Sequence, residues 1–168
     1  MKQFKRYVMI GILFVLVTGA LSHFVYDWTD RNDIAGLFTP VNESVWEHMK
    51  LLFFPMFIYS CFLYFKFRKS VPCILCALCA GILAGAFLIP ALYYAYTGIL
   101  GKNIFALDIG TFILSVIAAF WIVYRLSLSC RFKGFTCFLC VSVCLLFAGF
   151  LAFTYHAPDF VIFRDLQQ

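Results

Sequence analysis

The stretch "VPCILCALCAGILAGAFLIPALYYAY", residues 71–96, contains no acidic or basic side chain. A helix crosses a bilayer with about 20 mostly apolar residues, at about 1.5 Å of rise each. Only helices and closed barrels satisfy every backbone group in lipid. The apolar residues here are continuous rather than alternating, which selects the helix. Four further runs read the same way, at roughly 7–26, 45–67, 104–126 and 135–155.

The composition agrees. Hydrophobic residues make up 64% of the 168 and charged residues 12%, whereas soluble domains hold about 45–50% and about 25%. A soluble fold of this size cannot hide 22 Phe and their like; a bilayer can. The expected fold class is therefore all-α: a polytopic membrane helical bundle of five transmembrane helices, forming a single domain over residues 1–168. Pro55 and Pro90 fall inside the second and third runs, so kinks are expected there. The first run follows a basic start (Lys2, Lys5, Arg6), and Thr18-Gly19-Ala20 loosely fits a cleavage site. Its apolar stretch nevertheless exceeds the roughly 7–15 residues of a signal core, so an uncleaved helix is expected.

Lys and Arg set the orientation. Lys2, Lys5, Arg6, Lys66, Arg68, Lys69, Arg125, Arg131 and Lys133 fall on one side; Arg31, Lys50, Lys102 and Arg164 fall on the other. The positive-inside rule then puts the N-terminus inside and the C-terminus outside. The net charge of +5 is accounted for by these flanks. No basic patch interleaves with exposed aromatics, which points away from nucleic acid. On this map all eight acidic residues (Asp27, Asp30, Asp33, Glu43, Glu47, Asp108, Asp159, Asp165) and all three histidines sort to the outer face. The eight cysteines sort to the inner one.

Cys73-x-x-Cys76-x-x-Cys79 and Cys137-x-x-Cys140 have the look of redox or metal motifs. The quinone-linked disulfide-forming proteins and the vitamin K epoxide reductases carry such pairs. Placement against a reducing cytoplasm argues against disulfides. Small residues at spacing four (Cys73, Ala77, Gly81, Gly85 in the third run; Cys140, Cys144, Ala148, Ala152 in the fifth) favour close helix packing instead. A cytoplasmic metal or thiol site ranks second. Gly81 and Gly85 mark the third helix as a central packing element.

The ionisable groups gather at "TPVNESVWEHMK", residues 39–50. Part of this is local. Ser44 and Glu47 fit a capping box, with Asn42 as an alternative cap. Carboxylates suit the positive end of a helix dipole, and Lys50 can pair with Glu47 three residues away. Trp46 suits the headgroup belt.

His23, His48 and His156 are not explained that way, and neither is Asp108, a costly carboxylate several residues into the fourth helix. These four share a depth with Glu47, on four different helices. If they converge, His23, His48, His156 and Asp108 form the ligand set of a catalytic zinc or another divalent metal, with Glu47 or Glu43 as general base. Asp27 or Asp108 would otherwise orient a histidine from behind. The substrate would be a lipid, a lipid-linked intermediate or an envelope peptide, and the lipid bilayer is the one certain partner. The alternatives are a non-catalytic envelope accessory, sensor or assembly protein and, third, a small-solute transporter, for which the sequence offers no internal repeat. The tail "HAPDFVIFRDLQQ", residues 156–168, is too short to span; its Phe160, Val161, Ile162 and Phe163 lie along the outer interface or fold back over the pocket as a lid.

The segments "HFVYDW" and "FTPVNESVWEHMKLLFFP" resemble the signature of a family of small polytopic membrane proteins, mainly of Firmicutes, known as a domain of unknown function. The motif N-E-S-x-W-E-H-x-K, Asn42 to Lys50, carries the likeness. It implies a bacterial plasma membrane and a five-helix domain, and it implies no activity.

Overall fold

The structure is a computed structural model and describes residues 2–165. Six α-helices follow in order: α1 Lys2–Trp28, α2 Asp33–Phe38, α3 Val45–Phe67, α4 Ile74–Leu100, α5 Phe105–Ser129 and α6 Thr136–Phe153. Short 3-10 turns at Lys133–Phe135 and Val161–Phe163 complete the secondary structure, with no strand among the described residues. Five segments are long and apolar enough to cross a membrane: α1, α3, α4, α5, and the run through α6. This is the architecture of a multi-pass membrane protein.

The centre is built from α3 and α4. Of the most apolar window of each, 61% is buried, against 22% for α1, 33% for α5 and 17% for α6. Small residues explain the close contacts. A Cβ on Gly81 would stand 2.5 Å from Val123 Cγ2 and 2.8 Å from the Ala119 carbonyl; one on Gly85 would stand 2.7 Å from Ala119 Cβ. Only glycine lets α4 meet α5 at this separation. Gly19 does the same for α1: its Cβ would lie 2.5 Å from the Leu51 carbonyl of α3 and 2.7 Å from the Phe112 ring of α5. That carbonyl has no helical donor, because Pro55 carries no N–H.

The short helix α2 lies between the first two spans. Asn32 caps it, its Oδ1 accepting from the N–H of Ile34 (2.9 Å) and Ala35 (3.3 Å). Tyr155 donates its hydroxyl to the Asp33 carbonyl at 2.9 Å, so the segment after α6 braces α2. The C-terminal tail also folds back, but against Trp46: the Phe163 ring centroid lies 4.9 Å from that of Trp46 and 5.6 Å from that of Phe153.

The cysteines hold a departure from expectation. Cys73 and Cys130 form a disulfide across the start of α4 and the end of α5. Cys130 takes the left-handed conformation that ends α5, with its N–H donating to the Leu126 carbonyl. That turn brings its Cα to 5.4 Å from Cys73, inside the range a disulfide needs. The reading of all eight as reduced packing residues fails at this pair. It stands better for Cys79 and Cys140, whose sulfurs touch at 3.5 Å between α4 and α6, and for Cys76, which donates to the Phe132 carbonyl.

Candidate metal centre

Residues 39–50 divide into two sites with opposite characters, because neighbouring positions on a helix point about 100° apart. Glu47 and Lys50 share one face of α3 and turn inward, with 2% and 0% exposure. The Lys50 ammonium donates to Glu47 Oε2 (2.8 Å), the Thr154 hydroxyl (2.7 Å) and the Gly36 carbonyl (3.0 Å), with the Thr39 carbonyl at 3.5 Å. Glu47 Oε2 also accepts from the Val41 N–H at 3.0 Å. One cation thus fastens α2, the following loop, α3 and the end of α6 together.

The capping box is half formed. The Ser44 hydroxyl accepts from the Glu47 N–H, while Asn42 rather than Glu47 accepts from the Ser44 N–H. Glu47 is a structural anion here, held away from the pocket.

His48 lies on the next face round and meets Glu43 and His23. Its Nε2 is 3.3 Å from Glu43 Oε2, and His23 Nε2 is 3.7 Å from Glu43 Oε1. One ligand atom from each of the three falls within 4.8 Å of the others, so the cluster can hold a metal ion. The other nitrogen of His48 fixes the chemistry. Nδ1 stands 2.9 Å from the Ser44 carbonyl, which only accepts, so Nδ1 carries a proton. In the neutral ring, Nε2 is then a lone pair facing a carboxylate, and two acceptors at that range need a cation between or beside them. A second proton on the ring satisfies this, and so does a metal. Two ligands about 2.0–2.1 Å from a tetrahedral metal stand about 3.3 Å apart, which is the His48–Glu43 spacing, while His23 stands wider at 3.7 Å.

The imidazole of His48 bonded to Glu43 holds that carboxyl below the usual carboxylate range, against the opposing effect of burial, with the charges of His48 and His23 adding to the shift. His23 Nδ1 is buried without a hydrogen-bond partner, so Nε2 is the nitrogen of His23 that meets the cluster.

These three residues line a cavity of about 530 Å³ whose walls include Ala20, Phe24, Leu51, Ile89, Phe105, Ile109 and Phe112. Asp108 lines it from α5, hydrogen-bonded by the Tyr96 hydroxyl, with Asn103 Oδ1 at 3.1 Å from the same oxygen. His156 is exposed beyond the end of α6 and belongs neither to the cluster nor to the cavity wall. Asp27 is also exposed and pairs with Arg31 at 3.5 Å; the orienting partner of His48 is the Ser44 carbonyl instead. Sequence reasoning passed over Tyr96, Tyr93 and Asn103. The available signal was the turn at Gly101–Ile104, which makes α4 and α5 antiparallel and sets the tyrosines of 93–96 beside position 108.

The whole chain, residues 1–168, matches one family. It belongs to a family of unknown function (DUF6512). No curated protein and no solved structure matches it. The family assignment carries no activity with it, so the reading of the site rests on its chemistry.

Proposed function

We propose that this DUF6512 protein is a multi-pass protein of the bacterial plasma membrane that binds a divalent metal, zinc first, at His23, Glu43 and His48. In this reading it carries out metal-assisted hydrolysis or transfer on a lipid or envelope substrate at the outer face. The observation that carries the proposal is the approach of His48 Nε2 to Glu43 while Nδ1 is committed to the Ser44 carbonyl. The orientation follows the Lys and Arg count.

Two histidines and one glutamate are a known catalytic zinc set that leaves a position open. A metal held there would supply a Lewis acid that favours the ionisation of water near neutral pH. Glu43, as a ligand, is not free to act as the base. Asp108, across the cavity and bonded to Tyr96, is the carboxylate left to take the proton of the attacking water. The water oxygen would add to the acyl carbon or phosphorus, the bond to the leaving oxygen would break, and the proton would pass on to that oxygen.

Elemental analysis of protein purified without chelator, and again after zinc reconstitution, tests the reading. About one zinc per chain, lost in His48→Ala and in His23→Ala, supports it. A chain that stays metal-free after reconstitution refutes it and favours the second reading. There a protonated His48 and Glu43 form a plain ion pair in a non-catalytic envelope protein. A transport role is disfavoured by the cavity's floor: below Leu51 and Phe112 the core closes with Leu52, Val116 and Phe120, all fully buried.

A further inference from the structure

The cavity lies at the meeting of two lipid-facing helices. The helices α1 and α5 are in contact where Gly19 meets Phe112. Beyond that point, toward residues 23 and 105, the cavity occupies the space between them. Its edges are apolar and exposed: Phe24 on α1 at 51%, and Phe105 and Ile109 on α5 at 77% and 45%. Both helices are candidate spans, and Phe24, Phe105 and Ile109 lie within about one turn of their ends, so the gap opens sideways near the interfacial edge of a bilayer.

We propose that this cleft admits one membrane lipid from the side, seating its chain between Phe24, Ile109 and Phe112 and its polar head at His23, Glu43 and His48. The placement of the head rests on the metal reading above; the placement of the chain does not. Three observations select a lipid. Apolar walls (Phe24, Leu51, Ile89, Phe112) and polar groups (His23, Glu43, His48, Asp108) line the same cavity, the mixed lining that suits an amphiphile. No Lys or Arg lines the cavity, so a soluble anion meets no fixed positive charge there. Along the wall formed by Ala20, Leu51, Ile89 and Phe112 the side chains offer no donor or acceptor to a peptide backbone. A chain of methylene groups needs none. The volume of about 530 Å³ falls in the range of single small-molecule sites, about 300–1,000 Å³, so it takes one chain and not the body of a two-chain lipid.

The test uses the full chain in vesicles of phosphatidylglycerol doped with the same lipid carrying a photoactivatable group on one acyl chain. Ala20→Trp and Ile109→Trp fill the cleft from its two walls; neither residue is a metal ligand or part of the core. Cross-links are mapped by mass spectrometry, and zinc is measured on the same samples. The expected result is labelling of residues 20–24 and 105–112 that is lost in both variants. Labelling at the exposed residues Leu13 and Ile117 and the zinc content should be unchanged. Cleft labelling that survives both substitutions, or is absent from a zinc-loaded wild type, overturns the proposal while leaving the metal reading intact. Cleft labelling without any zinc overturns the metal reading and the placement of the head, and keeps the chain site.

Discussion

Replacing Lys50 by Met removes the cation of the inner clasp while keeping most of its volume. The ammonium is completely buried and makes short bonds to Glu47, Thr154 and the Gly36 carbonyl. Without it, the Glu47 carboxylate, 2% exposed, keeps only the Val41 N–H. Leaving one charge of a buried pair unpartnered costs about 3–5 kcal/mol. Thr154 loses less, because its hydroxyl still donates to the Phe150 carbonyl. The expected loss therefore lies in that range and not above it. Adding Glu47→Leu removes the stranded charge, so the double variant should recover part of the loss, with a coupling of about 0.5–3 kcal/mol. Unfolding by sodium dodecyl sulfate, followed by tryptophan fluorescence in mild detergent, measures all four states. A single variant within about 1 kcal/mol of wild type, or a double variant equal to the sum of the singles, would refute the clasp. Because Gly36 and Thr39 lead into the loop that carries Glu43, the single variant should also bind metal more weakly.

Four other outcomes are expected. Zinc binding should weaken as pH falls, since imidazole must shed a proton to bind a metal; calorimetric titration in steps from neutral to acidic pH reads this. The Glu43 carboxyl is held below its ordinary value of 4.5, so in the metal-free protein its ionised form adds stability above that value and loses it as pH falls through the depressed one. The increment is small because the side chain is 35% exposed, and Glu43→Gln should flatten the acid limb of a plot of stability against pH. Gly81→Ala should cost about 1–3 kcal/mol by overpacking α4 on α5, read by the same detergent titration. If the positive-inside orientation holds, Cys73 and Cys130 face a reducing compartment. They should then be alkylated as free thiols in acid-quenched cells and joined in air-exposed protein; protection from alkylation in the quenched cells would reverse the orientation.

The membrane architecture was legible because hydrophobic length survives any choice of helix rotation. The run 45–67 matches α3 end for end, while α1 begins earlier than its apolar run because Lys2–Arg6 continue as helix. The six-residue α2 carries too little periodicity to be read; only Asn32 followed by Asp33 hinted at a cap. Depth was legible and rotation was not. His48 faces the cavity from α3, whereas His156 falls in the bend after α6 and is exposed, because that helix ends at Phe153. One distinction was available. Glu47 and His48 are adjacent on a helix and cannot share a pocket, and Glu47 pairs at spacing three with Lys50. The Cys73–Cys130 bond joins positions 57 residues apart, and spacing alone cannot choose among pairings.

That bond bears on how the cleft opens. In the oxidised protein, with the turn at Gly101–Ile104 joining α4 to α5 at one end and a covalent staple joining them at the other, these two helices are held as a single stiff plate. The wall carrying Phe105, Ile109 and Phe112 cannot swing outward by itself. Widening the entrance falls to the end of α1 beyond Gly19, since Phe4, Val8, Gly11, Val15 and Gly19 pack the rest of that helix against its neighbours. Distance labels at positions 24 and 109 should therefore spread when an amphiphile enters, whereas labels at 99 and 109 should hold still.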